Sequence, residues 1–193
     1  MAKAMTDAFL AEDCPEISPE VLVIPGSENR AAAMLAGQID ATPLEPADVV
    51  QLLDKAPDRF HVVADFAASL PDLMTTGVFV NRQFAEANPQ AVEDVVRALL
   101  TVHRHIAADP DLLVPEAVAR LGIEAELLPA IVEAHLRIDS WDVNGGLTRE
   151  AVDYTLEFYV RIGSLEPGLT TDYVADVSYL TTILNELGRV PAP

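Results

Sequence analysis

The sequence has few basic residues, a single cysteine and no long apolar run. Twelve Lys and Arg stand against 31 Asp and Glu, which gives the 193 residues a formal net charge of −19. Phosphate backbones and anionic membrane surfaces repel such an acidic chain, so a nucleic-acid function is disfavoured. Cys14 has no second cysteine with which to form an internal disulfide. The cysteine count therefore leaves the redox compartment open.

Targeting and membrane-spanning patterns are also missing from the residues as written. The first residues lack the basic, then apolar, then small-residue order of a signal peptide, and no run of 18 apolar residues occurs to span a bilayer. We therefore expect this stretch of chain to be neither exported nor embedded. Half of its residues are hydrophobic and 22% are charged, a balance typical of folded globular proteins.

Four short segments in the first eighty residues predict strands. They cover residues 21–24, 40–44, 60–65 and 75–80. The first is an unbroken apolar run that Pro25 and Gly26 stop, which is typical of a strand buried on both faces. Predicted helices separate these segments. The order therefore favours a parallel sheet covered by helices.

Beyond residue 81 the apolar residues recur every three or four positions, which predicts helices. Over the whole chain the predicted helices cover residues 2–11, 30–36, 46–53, 89–103, 113–121, 124–136, 148–162 and 171–187. Gly37, Gly122, Gly163 and Gly188 stand where helices should end. The sequence thus predicts an α/β fold with more helix than strand. Residues 1–80 would form part of a ligand-binding lobe and residues 81–193 a helical C-terminal part.

Several segments, taken in order, resemble a known family of transport proteins. Residues 26–30 (Gly-Ser-Glu-Asn-Arg), 33–41 (Ala-Met-Leu-Ala-Gly-Gln-Ile-Asp-Ala) and 44–48 (Leu-Glu-Pro-Ala-Asp) resemble the second lobe of ABC-importer solute-binding proteins. The subfamily is the one that serves nitrate, sulfonate, taurine and thiamine-pyrimidine precursors. Residues 77–89 are similar to its return strand and next helix, and residues 148–163 and 172–180 to its ending.

This resemblance implies a periplasmic-binding-protein type II fold, with the second lobe followed by the helical C-terminal part of the first. Most of the N-terminal lobe would be lacking, and with it the first strand of the second lobe. A homodimer or the opening helix would then cover the exposed sheet edge.

The function implied by the resemblance is that of the solute-binding component of an ABC importer. Such a protein works outside the cytoplasm, either in the periplasm or on a lipid anchor. It closes two lobes on a small polar or aromatic solute and delivers the solute to a membrane permease. It is not an enzyme and needs no cofactor. One alternative is a thiamine-pyrimidine synthase-like enzyme of the same fold, with Lys55 and His61 as its reactive candidates. The other is a stand-alone interaction module that uses its sheet edge and acidic face.

Two turns are candidates for ligand contact, because ligands of open α/β sheets bind beyond the carboxyl ends of strands and beside helix N-termini. Ser27 lies in the first turn, where its hydroxyl either caps the next helix or donates to a polar solute. Capping is the favoured interpretation. Thr42 and Glu45 lie in the second turn. Glu45 either selects a cationic or amine-bearing ligand, such as an aminopyrimidine, or complements the helix dipole as a solvated carboxylate.

Three further residues complete the predicted ligand site. Thr75 and Thr76 precede the strand into the other lobe, although adjacent threonines also suit a strand. Trp141 would offer a flat wall to a planar ligand, with ordinary packing as the favoured alternative.

The sequence predicts neither a metal site nor a catalytic residue. Asp139, Asp142 and Asn144 lack the spacing of a calcium loop, and a turn explains them better. Cys14 has no basic or histidine neighbour in the sequence to activate it.

Overall fold

A computed structural model describes residues 2–191, and these residues fold as helices joined by loops. In chain order the α-helices are α1 (Ala2–Asp13), α2 (Ser27–Leu35), α3 (Pro46–Lys55), α4 (Phe66–Ser69), α5 (Arg82–Ala87), α6 (Pro89–Ala108), α7 (Leu113–Leu121), α8 (Leu128–Arg137), α9 (Arg149–Arg161), α10 (Thr171–Val174) and α11 (Ser178–Leu187). Short 3₁₀ helices at Pro110–Leu112 and Ala125–Leu127 precede α7 and α8. None of the described helices is both long and apolar enough to cross a membrane.

The predicted α/β fold is wrong, because residues 2–191 contain no β-strand. The four segments predicted as strands run without a paired neighbour, and Val21, Leu22 and Val23 are 49%, 57% and 89% exposed. An extended segment becomes a strand only when a second segment completes the hydrogen-bond ladder, and apolar composition alone does not supply that partner. The sheet and the periplasmic-binding-protein type II fold expected from the resemblance are therefore not seen. The described residues also lack the sheet edge that a homodimer or the opening helix was expected to cover.

The helix boundaries follow the local signals in the sequence. Pro46 and Pro89 occupy the first turns of α3 and α6, where the missing amide of proline costs nothing. Thr148 caps α9, since its hydroxyl accepts a hydrogen bond from Ala151 N at 3.1 Å. The end of α2 is a left-handed turn at Gly37, with φ at 68°. There the amide of residue 38 donates to Ala33 O at 2.9 Å, as in a Schellman motif.

One predicted helix is divided in the structure. Residues 171–187 form α10 and α11 rather than a continuous helix. The Asp176 carboxylate lies between them and accepts from Ser178 N at 2.9 Å. This local turn separates α10 from α11, whose N-cap is Val177.

The chain divides into two compact units, each assembled from two separate stretches. The first unit contains the chain up to Ser69 together with Val114–Ile138. Within it α3 packs against both α2 and α8. Its buried apolar side chains on these helices are Ala33, Leu52, Leu128, Ile131 and Val132. Helix α8 packs against α3, so residues that are far apart in the sequence lie next to each other in the first unit.

The second unit contains Leu70–Leu113 and the chain from Asp139 onward. Its centre is the packing of α6 against α11. Leu100 of α6 meets Leu180, Ile183 and Leu184 of α11 in one buried cluster, and Ile183 is fully buried. This apolar contact stabilises the unit through the hydrophobic effect.

Candidate functional site

Two of the predicted ligand residues meet in the first unit, where the turns before α2 and α3 are joined by a hydrogen bond. The Oγ of Ser27 accepts from Glu45 N at 2.8 Å, and Ser27 is buried. Ser27 is the first residue of α2, and Gly26 holds the N-cap position without a side-chain bond. The capping interpretation of Ser27 is therefore wrong, because its hydroxyl joins two turns rather than closing its own helix.

Arg30 provides a second link between the same turns. Its Nε donates to Pro43 O at 3.0 Å, and one terminal nitrogen donates to Gly26 O at 3.0 Å and to Ile24 O at 3.4 Å. A planar guanidinium suits this task because its donors diverge in a fixed plane. Arg30 thus holds the ends of residues 21–24 and 40–44 side by side. This role of Arg30, the first basic residue after Lys3, was not predicted from the sequence.

A histidine from α8 lies close to the second turn. Burial lowers the pKa of His135, and the nearby carboxylate of Glu45 opposes that shift without cancelling it. His135 is therefore neutral over more of the acidic range than a free histidine. Glu45 is exposed, whereas Thr42 is half-buried and its hydroxyl donates to Pro43 O at 3.4 Å. No sequence pattern pointed to His135, because it follows Glu45 by about ninety residues.

The charge around the two turns is mainly negative. Glu28 lies in the first turn of α2, Asp48 lies in the first turn of α3, and Glu45 stands at the N-cap of α3. These carboxylates occupy the positions that helix dipoles otherwise offer to an anion. The guanidinium of Arg30 is already engaged by backbone carbonyls. This corner, which we define as the paired turns at Gly26–Ser27 and Pro43–Glu45 with His135, therefore suits a neutral or cationic group better than an anion.

The other three predicted ligand residues belong to the second unit. Thr75 and Thr76 are exposed in the segment that precedes α5. Just before them, Met74 N donates to Thr155 Oγ1 of α9 at 3.0 Å, which fixes the start of this segment. Trp141 is half-buried in the loop between α8 and α9.

The loop that carries Trp141 is fixed by contacts with α6. The Nδ1 of His103 lies 3.1 Å from Asp142 O, and Arg104 Nε donates to Val143 O at 2.9 Å. The carboxylate of Asp142 accepts from Asn144 N at 2.6 Å, which is the turn that the sequence predicted here. Within the described residues no three His, Cys, Asp or Glu side chains are grouped so that they could hold a metal ion.

The junction between the two turns leads to a first prediction. The Ser27→Ala variant should lower the free energy of unfolding by about 1 kcal/mol, because the partly buried hydrogen bond from Glu45 N to Ser27 Oγ is lost. Urea denaturation followed by circular dichroism would measure the loss. The control is Ser18→Ala, an exposed site in the preceding loop, which should stay within about 0.5 kcal/mol of the parent. Equal stability of the two variants would contradict a structural role for the Ser27 hydroxyl.

Comparison with known proteins identifies the family to which the chain belongs. A family model described as NMT1/THI5 like matches residues 2–112, more than half of the chain. No curated protein and no solved structure matches the chain. The matched residues include Ser27, Arg30 and Glu45, but not His135 or Trp141. The family includes ABC solute-binding proteins and thiamine-precursor proteins, which confirms the resemblance at this coarser level. The chain belongs to the NMT1/THI5-like family.

Proposed function

We propose that this protein is the solute-binding component of an ABC importer and that it holds a small amine-bearing solute at the corner. Family membership supports the general class. The observation that carries the proposal is the hydrogen bond from Glu45 N to Ser27 Oγ, which brings two helix N-termini together beside an exposed carboxylate.

The corner is organised without a ligand. Ser27 and Arg30 together fix the turns through bonds of 2.8–3.4 Å, so little backbone ordering remains when a solute binds. The conformational entropy that a flexible site loses when it becomes ordered on binding reduces affinity, and a site that is already fixed avoids this loss. A solute therefore meets a backbone that already holds its place.

The charges of the corner support selection by charge. An ammonium about 4 Å from an exposed carboxylate gains about 1 kcal/mol, and an anion at the same distance loses as much. Glu45, with Glu28 and Asp48 in the adjoining first turns, therefore favours an amine and opposes nitrate or a sulfonate. Burial lowers the pKa of His135 and so favours its neutral form close to this carboxylate. An aminopyrimidine fits this class, because it combines amine donors with ring acceptors.

The transport role completes the proposal. The solute would be captured outside the cytoplasm, and the loaded protein would deliver it to a membrane permease. The proposal contains no catalytic step. Lys55 ends α3, about 14 Å along the helix axis from Pro46, and His61 is exposed in the loop after α3. These placements give no support to the synthase-like alternative.

Ligand-dependent thermal stabilisation tests the proposal. An aminopyrimidine at a hundred times its Kd should stabilise the protein by about 2.7 kcal/mol and raise Tm by roughly 5–10 °C. Nitrate and taurine should leave Tm unchanged at the same concentrations. Differential scanning fluorimetry with the full panel gives the measurement.

A charge-neutral variant of the corner sharpens this test. Glu45→Gln keeps the side-chain shape and should lower the shift caused by the amine by about a third. Glu133→Gln, an exposed change on α8, should keep the full shift. A panel in which sulfonates stabilise the protein while amines do not would reverse the assigned selectivity. If Glu45→Gln kept the entire amine response, the solute would have to bind elsewhere.

A further inference from the structure

The extended segment Val21–Ile24 of the first unit presents apolar side chains to solvent. Val21 and Leu22 are about half exposed, and Val23 is 89% exposed. Ile17, just before them, is 51% exposed. Contiguous exposed apolar surface of this kind marks an interaction site more often than isolated exposed residues do.

In the described part of the chain this segment belongs to no helix and to no sheet. Its carboxyl end is fixed, since Arg30 donates to Ile24 O at 3.4 Å and the Asn29 side chain donates to Pro25 O at 2.8 Å. A segment that is fixed at one end, apolar and outside any helix or sheet can accept a strand from another polypeptide.

The charge around the segment determines which strand fits. Between Lys3 and Arg30 the sequence contains no basic residue. The same interval contains six carboxylates, at Asp7, Glu12, Asp13, Glu16, Glu20 and Glu28. A second copy of this chain would bring the same negative charges opposite its own, which disfavours self-pairing. A partner with lysine or arginine beside its apolar residues would instead gain from each carboxylate.

We propose that Val21–Ile24 is a docking strand for a basic, extended segment of another polypeptide, in which apolar residues alternate with Lys or Arg. Main-chain hydrogen bonds along the segment supply affinity, as in other cases of strand addition. Because side chains alternate in a strand, Val21 and Val23 share one face of the pair. Glu20 and Glu28 flank the segment and pair with the basic residues of the partner.

Peptide binding to the full chain tests this proposal. The probe is a fluorescein-labelled decapeptide that alternates lysine and valine. One control peptide carries glutamate in place of lysine, and another keeps every lysine but carries proline in place of valine. Fluorescence anisotropy should show saturable binding of the lysine–valine peptide at least about tenfold tighter than of either control. The proline peptide has the same charge, but its prolines have no amide hydrogen and therefore interrupt a ladder.

Two measurements locate the binding on the protein. Amide hydrogen exchange should slow by about tenfold or more at alternate amides of residues 21–24 when the lysine–valine peptide is bound. Val23→Asn should weaken binding by at least about fivefold, because it removes a side chain that strand pairing buries. The matched control is Val118→Asn, at a 41% exposed position of α7 in the same unit, and it should bind as the parent does.

Two results would overturn the proposal. If the proline peptide bound as tightly as the valine peptide, attraction between charges would explain the binding without a strand. If the peptide failed to bind while sedimentation showed a dimer that Val23→Asn dissociates, a second copy would be the occupant. Neither result depends on a solute, so the transport proposal is judged separately by its own thermal shifts.

Discussion

The Gly145→Ala variant should lose roughly 2–5 kcal/mol of unfolding free energy, the sum of two separate costs. Gly145 has a φ of 87°, and a left-handed backbone costs an L-residue about 1–2 kcal/mol. In addition, a Cβ at this position would lie 2.8 Å from Cδ1 of Leu180. Leu180 belongs to the buried cluster of the second unit, where overpacking costs about 1–3 kcal/mol. Urea titration followed by the fluorescence of Trp141, the one tryptophan, reports on this unit.

A matched glycine separates the two costs. Gly163 also has a positive φ, 69°, but nothing lies within 4 Å of the position that its Cβ would take. Gly163→Ala should therefore lose only the backbone part, about 1–2 kcal/mol. Equal losses in the two variants would show that the predicted clash with Leu180 is relieved by a small movement of its side chain.

Truncation of Ile183 should have an effect of similar size. Ile183 is 0% exposed in the contact between α6 and α11, so Ile183→Ala leaves a cavity as well as removing apolar area. Such changes cost about 2–5 kcal/mol. The fluorescence of Trp141 again follows the transition. Val102→Ala on α6, at a position that is 50% exposed, should cost about 1 kcal/mol or less. If the urea concentration at the midpoint of unfolding were no lower for Ile183→Ala than for Val102→Ala, the contact between α6 and α11 would not stabilise the unit as proposed.

The helices were predictable from the sequence because their signals are local. Pro46 and Pro89 start helices through their fixed φ and missing amide. Gly37 and Gly163 end helices because each adopts a positive φ that other residues avoid. Each of these signals acts within about four residues and does not depend on the rest of the fold.

Strands could not be predicted in the same way, because a segment forms a strand only if a second segment pairs with it. Residues 21–24 have the composition of a buried strand, yet in the described chain no second segment pairs with them. The corner was predictable only in part. Ser27 and Glu45 were identified from their positions in turns, but their mutual hydrogen bond spans 18 residues. Arg30 and His135 act across the chain, and nothing in their own neighbourhoods indicates this.

The interleaving of the two units has a consequence for synthesis on the ribosome. Helix α3 ends at Lys55, whereas α8, which packs against it, begins at Leu128. At 5–20 residues per second, the ribosome needs roughly 4–15 s to make the residues between them. During that interval the part of α3 that packs against α8 stays uncovered in the nascent chain. The high negative charge of the chain opposes premature association of nascent chains during this time.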